Sequence, residues 1–312
     1  MKVFFATDVH GSEVCWRKFL NGAAFYKADV VILGGDITGK VMVPIVARTG
    51  YWEARINGQT VRLETEAEVA DAERQLRGRG WYIARVEPDE LEELSADDGV
   101  VGERFNQEIM RTLDRWLNIA DDKLGKTDVP CIVNGGNDDT LAIDATLDES
   151  PYVNFAENRL IELGGFSLVS MGWTNPTPWD TYREAPEEVL AEKIAAAVSG
   201  VPDMSRAIFN FHAPPYGTGL DEAPALDSTL KPMQGGNLMK AVGSTAVRDA
   251  ILEHQPMLSL HGHIHESRGI CNLGRTTSIN PGSIYPDGVL QGVLLELNEK
   301  KAKVARKLLV SG

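Results

Sequence analysis

Short apolar runs of strand length recur along the chain, and helical patterns lie between several of them. Five runs are each followed by Gly, His, Asp or Asn; they cover 2–7, 29–33, 129–133, 207–211 and 257–260. Three further runs, at 167–171, 276–279 and 289–297, resemble additional strands. Continuous apolar runs are typical of strands that are covered on both faces. The pattern therefore predicts an α/β fold in which two sheets are flanked by helices.

One connection is much longer than a crossover requires. About a hundred residues separate Asp36 from Asn137, and such a distance indicates inserted structure. We expect one domain over 1–312 that contains an insertion at approximately 41–103. The pair Asn57-Gly58 predicts a two-residue hairpin turn, and that register sets Trp52 against Leu63 and Ala54 against Val61.

Helical signals follow the hairpin. Thr65 and Glu68 have the spacing of a capping box, which predicts a helix over 66–77. The acidic stretch at 87–98 is typical of a solvated loop or an exposed helix face. Apolar residues recur at helical spacing over 105–124, so an amphipathic helix should return the chain to the core.

Composition narrows the class of protein. Of the 312 residues 43% are hydrophobic and 24% charged, as in an ordinary globular chain. The net charge of −14 argues against an extended nucleic-acid groove, but a small anion held by metals stays compatible. No apolar stretch approaches the ~20 residues of a membrane span, and the first run reaches Asp8 without space for a signal peptide. We expect a cytoplasmic protein with no membrane partner.

Metal-ligand side chains occur where apolar runs end. The carboxyl ends of strands are where open α/β sheets bind ligands, so these side chains should converge. They are Asp8, His10, Asp36, Asn137, His212, His263 and His265. The aspartate and asparagine motifs alone are equally typical of a turn or a helix cap, whereas His261, His263 and His265 within five positions are hard to explain as packing. The coincidence of all these side chains at five strand ends favours a metal site. Four imidazoles, two carboxylates and an amide suit two divalent transition-metal ions, drawn from Mn, Fe, Zn, Ni and Co.

These motifs resemble those of the calcineurin-like metallophosphoesterases. The matching segments are Asp8-Val9-His10, Gly35-Asp36, Gly136-Asn137-Asp138-Asp139, His212, Gly262-His263-Ile264-His265 and the turn Asn280-Pro281-Gly282-Ser283. The variant Gly-Asn-Asp-Asp is similar to a branch of predicted prokaryotic phosphoesterases. The resemblance implies a four-layer α/β/β/α sandwich of two mixed sheets. It also implies one metal on Asp8, His10, Asp36 and His265, and a second on Asp36, Asn137, His212 and His263.

The resemblance further implies that Asp36 bridges the two metals and that a metal-bridging hydroxide hydrolyses a phosphomonoester or phosphodiester. One position departs from the pattern, because Asp138 stands where the family has a proton-donating histidine. Either a protonated Asp138 or a metal-bound water would then supply the proton, so Asp138 and Asp36 are the candidate catalytic residues.

The substrate, the insertion, the activity and one loop each keep more than one interpretation. The expected substrate is a small phosphate ester, with nucleotides among the candidates, and the insertion either forms a cap over it or joins copies into a homo-oligomer. The alternative function is a metal-binding protein-interaction scaffold with little turnover, which the missing histidine keeps in view. The loop that begins at Trp173-Thr174 follows an apolar run, so it either contacts the substrate or packs.

Overall fold

Eighteen strands and seven α-helices alternate along the chain in the computed structural model, which describes residues 1–312. The helices are α1 (Glu13–Tyr26), α2 (Glu66–Gly78), α3 (Pro88–Ala96), α4 (Asp98–Leu124), α5 (Ile143–Asp148), α6 (Glu187–Val198) and α7 (Thr245–His254). The strands are β1 (Lys2–Ala6), β2 (Val30–Leu33), β3 (Val41–Arg48), β4 (Tyr51–Ile56), β5 (Gln59–Leu63), β6 (Trp81–Val86), β7 (Cys131–Val133), β8 (Val153–Phe155), β9 (Leu160–Leu163), β10 (Phe166–Met171), β11 (Ala207–Phe211), β12 (Glu222–Pro224), β13 (Met239–Ala241), β14 (Leu258–Leu260), β15 (Gly269–Leu273), β16 (Thr276–Asn280), β17 (Gln291–Asn298) and β18 (Lys303–Ser311).

Two mixed six-stranded sheets form the centre of the fold. The first has the order β18-β17-β1-β2-β7-β8. In it β1, β2, β7 and β8 are parallel to one another, and β17 pairs antiparallel with both β1 and β18. The second has the order β15-β16-β14-β11-β10-β9, with a parallel centre and antiparallel edges. All eight apolar runs that predicted strands correspond to strands of these two sheets.

Three hydrophobic clusters separate four layers. Alternate residues of β1 point to opposite faces of the first sheet, as period-two geometry requires. Phe4 packs with Trp16 of α1 and Trp116 of α4, whereas Phe5 packs between the sheets with Leu258 and other residues. The outer face of the second sheet packs on α6 and α7. The expected α/β/β/α sandwich of two mixed sheets is confirmed.

The inserted hairpin forms as the sequence predicts. Strands β4 and β5 flank Asn57-Gly58, whose φ angles of 51° and 78° are the left-handed conformations that a two-residue turn needs. Trp52 pairs with Leu63, which confirms the predicted register. The capping box at Thr65 forms and α2 follows it.

The insertion contains more structure than the hairpin and one helix. Strands β3 and β6 pair in parallel and complete a four-stranded sheet of order β5-β4-β3-β6, which the sequence did not predict. The acidic stretch is mostly the exposed helix α3, without a buried residue. Helix α4 begins at Asp98, seven residues before the predicted start at Phe105. The role of the insertion as a cap or as a contact between copies stays a prediction.

Candidate metal centre

All seven predicted metal ligands meet at the carboxyl ends of the strands, between the two sheets. Asp8 and His10 follow β1, Asp36 follows β2 and Asn137 follows β7; His212 follows β11, and His263 and His265 follow β14. Asp8, His10, Asp36 and His263 have φ angles of 53°, 38°, 51° and 68°. Left-handed backbone costs free energy in non-glycine residues, and such conformations cluster at functional sites. The loops therefore adopt strained conformations that bring these ligands together.

The ligand atoms divide into two groups that share Asp36. The first group is Asp8, His10, Asp36 and His265, and the second is Asp36, His212 and His263; within each, the ligand atoms lie within 4.8 Å of one another. Asn137 joins the second group, because its Oδ1 lies 2.7 Å from His263 Nδ1. This is the same division that the resemblance implies.

Asp36 lies between the two groups. Its Oδ2 is 3.5 Å from His10 Nε2 and 3.3 Å from His212 Nε2. Its Oδ1 accepts the Asp138 N–H at 3.0 Å, which fixes the rotation of the carboxylate. One oxygen of a buried carboxylate thus faces both sets of imidazoles.

The protein holds the outer nitrogens of two imidazoles and turns the inner ones toward the centre, where His10 Nε2 lies 3.0 Å from His265 Nε2. His10 Nδ1 donates to the Thr38 carbonyl at 3.3 Å, and His212 Nδ1 donates to the Gly34 carbonyl at 3.0 Å. Since a carbonyl can only accept, each ring carries a proton on Nδ1 and turns Nε2 inward. His212 Nε2 is buried without a hydrogen-bond partner. A buried ring nitrogen in this state fits a metal ion, so the residues present suit the implied cofactor.

Burial and neighbouring charges set the protonation of the ligand imidazoles. Burial lowers the pKa of His10 to about 3 and that of His263 to about 4, so both rings are neutral and able to ligate. Burial would also lower the pKa of His212, but the Asp36 and Asp8 carboxylates raise it to about 10. Metal binding at His212 would therefore displace a proton.

Several side chains that the sequence analysis did not single out support the ligands. Thr181 Oγ1 accepts from Asn137 Nδ2 at 2.8 Å and donates to Glu184, which turns Asn137 Oδ1 toward His263. The loop that begins at Trp173 thus reaches the site through Thr181. Trp173 itself packs beneath the Lys193 ammonium, 3.9 Å from the ring centroid.

Asp139 joins the two loops that carry Asp36 and Asn137. Its carboxylate accepts from the backbone N–H groups of Ile37, Thr38 and Gly136 at 2.8–3.0 Å. These bonds cross from one strand end to the next and fix the spacing of the two ligands. Asp139 was quoted only as part of a motif, and no local signal distinguishes this role from that of a turn aspartate.

The closing turn near the C-terminal end also supports the site. Ser283 Oγ donates to the Asp8 carbonyl at 2.7 Å, and Asn280 Nδ2 donates to the Ile264 carbonyl at 2.9 Å. Tyr285, just after this turn, lies against His10 with ring centroids 4.7 Å apart. The sequence analysis did not single out Tyr285, although it follows the quoted turn by two residues.

Asp138 lies at the edge of the first group and contacts a residue that the sequence analysis overlooked. Its Oδ2 is 2.5 Å from Lys40 Nζ and 3.9 Å from His10 Nδ1. Burial and the nearby Asp36 carboxylate raise the pKa of Asp138 to about 7, against the opposing effect of Lys40. The catalytic role of Asp138 stays a prediction.

Comparison with known proteins supports the fold. No protein-family model matches the chain. An uncharacterized protein of Methanocaldococcus jannaschii, MJ1162, is 29% identical over 149 residues, which span 47% of this chain and 61% of that protein. The alignment therefore covers less than two thirds of the relative's own length.

Solved structures extend the similarity over the whole chain. One covers 99% of this chain and 98% of its own at 17% identity, with a TM-score of 0.58. TT1561 of Thermus thermophilus covers 100% of this chain and 97% of its own at 14% identity, with a TM-score of 0.50. A novel phosphatase of Mycoplasma pneumoniae is more distant, at 13% identity over 100% of this chain and 93% of its own, with a TM-score of 0.46. At these identities the first two matches show a shared fold and nothing about activity.

No helix of the fold combines the length and the apolar composition needed to cross a membrane.

Proposed function

We propose that the chain is a metal-dependent phosphoesterase of the metallophosphoesterase superfamily that binds two divalent ions and hydrolyses a small phosphomonoester or phosphodiester. The observation that carries this proposal is the position of Asp36 Oδ2, 3.5 Å from His10 and 3.3 Å from His212. One carboxylate oxygen between two histidine-rich groups is the arrangement that a bridged metal pair requires.

The chain's own residues prepare the site for such ions. The carbonyls of Thr38 and Gly34 orient two rings, and Thr181 orients the Asn137 amide. The imidazoles and buried carboxylates together form a nitrogen and oxygen donor set that suits Mn, Fe, Zn, Ni or Co. Two such ions, when bound, activate a water molecule and neutralise the charge that develops on the phosphoryl oxygens.

The charge of the site explains how an acidic protein binds an anion. Asp8 and Asp36 carry two negative charges between them, and two divalent ions carry four positive ones, which leaves about +2 at the centre. A phosphate ester is then attracted locally although the whole chain carries −14. The net charge of −14 argues against an extended polyanion as the substrate, because the acidic surface would repel it.

The test combines metal binding with turnover. Wild-type protein, Asp36→Asn and the exposed control Asp122→Asn are titrated with Mn²⁺ by calorimetry and assayed on aryl phosphate mono- and diesters. We expect two ions in wild type and in the control, and loss of at least one ion together with turnover in Asp36→Asn. Two bound ions without turnover of any ester would favour the metal-binding scaffold. Binding of no ion would refute both functions.

A further inference from the structure

Lys40 directly precedes the insertion, and its side chain extends toward the proposed metal centre. Its Nζ lies 2.5 Å from Asp138 Oδ2. The Lys40 side chain is 45% exposed, whereas that of Asp138 is only 14% exposed. The Lys40 side chain is therefore partly open to solvent and has a largely buried carboxylate as its partner. No other lysine of the chain lies within 4.0 Å of a carboxylate oxygen.

The surroundings of the ammonium place it beside the first ligand group. Asp138 Oδ2, which Lys40 contacts, is also 3.9 Å from His10 Nδ1. The positive charge of Lys40 acts to lower the pKa of three rings, but burial is the largest influence on each, and the net pKa is lowered for His10 and raised for His265 and Tyr285. These three rings also contact one another, with the Tyr285 centroid 4.7 Å from that of His10 and 5.9 Å from that of His265.

The backbone before Lys40 is held in place. The Gly39 N–H donates to the Tyr82 hydroxyl at 2.8 Å. A Cβ on Gly39 would lie 2.2 Å from the Gly80 carbonyl oxygen, so the two segments touch and no larger residue fits. Asp139 binds the Ile37 and Thr38 N–H groups and thereby ties the loop before Lys40 to the loop that carries Asp138. The position of Lys40 is thus set by both loops of the centre.

We propose that Lys40 contacts the phosphate of the substrate and that Asp138 is the residue that positions its ammonium. An ammonium has three donors, and Asp138 Oδ2 is the one carboxylate oxygen beside it, so further donors remain for phosphate oxygens. An ordinary surface ion pair is the alternative explanation, and such pairs contribute little. The largely buried carboxylate and the neighbouring ligand rings distinguish this pair from an ordinary one. The inference rests on the proposed function and names one further residue of that site.

Charge predicts which esters depend on Lys40 most. At a pH above its second pKa, a phosphomonoester or inorganic phosphate approaches as a dianion, whereas a diester carries one negative charge. Coulomb attraction to a cation doubles with the charge of its partner. Lys40 should therefore increase affinity for dianionic phosphates more than for diesters.

The test measures binding rather than turnover. Mn²⁺-loaded wild type, Lys40→Ala, Lys40→Arg, Asp138→Asn and the exposed control Lys126→Ala are titrated with inorganic phosphate and with dimethyl phosphate. We expect Lys40→Ala to raise the Kd for inorganic phosphate at least tenfold and that for dimethyl phosphate clearly less. Lys40→Arg should restore most of the affinity, Asp138→Asn should give an intermediate loss, and Lys126→Ala should match wild type.

The outcomes separate this inference from the proposed function. Phosphate binding that depends on Lys40 without hydrolysis of any ester would retain the inference and refute the activity. Hydrolysis by the wild type together with unchanged phosphate affinity in Lys40→Ala would overturn the inference alone. If Lys40→Ala lowers Mn²⁺ occupancy, the titration is repeated with Lys40→Gln. Loss of Mn²⁺ in both variants would show that Lys40 stabilises the metal centre and would overturn its role in phosphate binding.

Discussion

Glu157 is a buried carboxyl group behind the loop that carries Asn137. Its Oε2 accepts the Gly172 N–H at 2.8 Å, and its Oε1 has no hydrogen-bond partner. Gly172 in turn packs on the loop, because a Cβ there would lie 2.3 Å from the Gly135 carbonyl oxygen. Burial raises the pKa of Glu157 from 4.5 to about 7, although the Arg183 guanidinium opposes this change. The fold therefore binds the protonated form of Glu157 more favourably.

The sign and size of the effect on stability follow from this pKa. A pKa that is higher in the folded state than in the unfolded state stabilises the protein fully below the unfolded value, and that stabilisation is lost as the pH rises through the folded value. Each pKa unit corresponds to about 1.4 kcal/mol. The difference between 4.5 and about 7 then corresponds to about 3 kcal/mol of the free energy of unfolding, lost between those two pH values.

Glu157→Gln isolates this contribution. The amide oxygen can still accept the Gly172 N–H, and the side chain stays neutral at every pH. In urea unfolding at matched metal concentration, we expect the variant to unfold with nearly the wild-type free energy at about pH 5 and to be more stable by about 3 kcal/mol at about pH 8.5. Glu192→Gln, at an exposed position, should follow wild type at both pH values. A Glu157→Gln difference that does not change with pH would refute the reasoning.

Three further predictions concern the site and the insertion. Gly136→Ala places a Cβ 2.2 Å from Asp36 Oδ1, so we expect calorimetry to show the loss of at least one Mn²⁺. The control Gly102→Ala meets no atom within 4 Å and should bind both ions. Binding of both ions by Gly136→Ala would contradict the close approach. Thr181→Val removes the acceptor for the Asn137 amide, and we expect Mn²⁺ affinity at one of the two sites to fall by about tenfold; unchanged affinity would show that the amide needs no support. Thr65→Ala removes the cap of α2 and should cost about 1 kcal/mol in urea unfolding without changing Mn²⁺ affinity; an equal loss of metal binding would show that the insertion and the centre are coupled.

Much of the fold was open to prediction because its signals are local. Apolar runs of strand length predicted eight strands of the two central sheets, since a strand covered on both faces must be apolar throughout. Asn57-Gly58 predicted the hairpin and its register, because few other pairs adopt two consecutive positive φ angles. The parallel pairing of β3 with β6 was missed because it joins distant segments and no turn signal marks it. Strand β3 also pairs with β4 across the short turn Thr49-Gly50, a local signal that the prediction did not use.

The candidate site likewise has a part that local sequence signals reveal and a part that they do not. The seven ligand types were recognisable because each follows an apolar run, and strand ends converge at one edge of a sheet. The contacts between Lys40 and Asp138 and between Thr181 and Asn137 join segments that are far apart in the chain. Lys40 follows a glycine and Thr181 lies in a loop, and neither has a local sequence pattern that reveals its partner. The sequence by itself determined which residues are available to bind metal, and only the tertiary structure decided which side chains orient them, because those contacts depend on the packing of the whole fold.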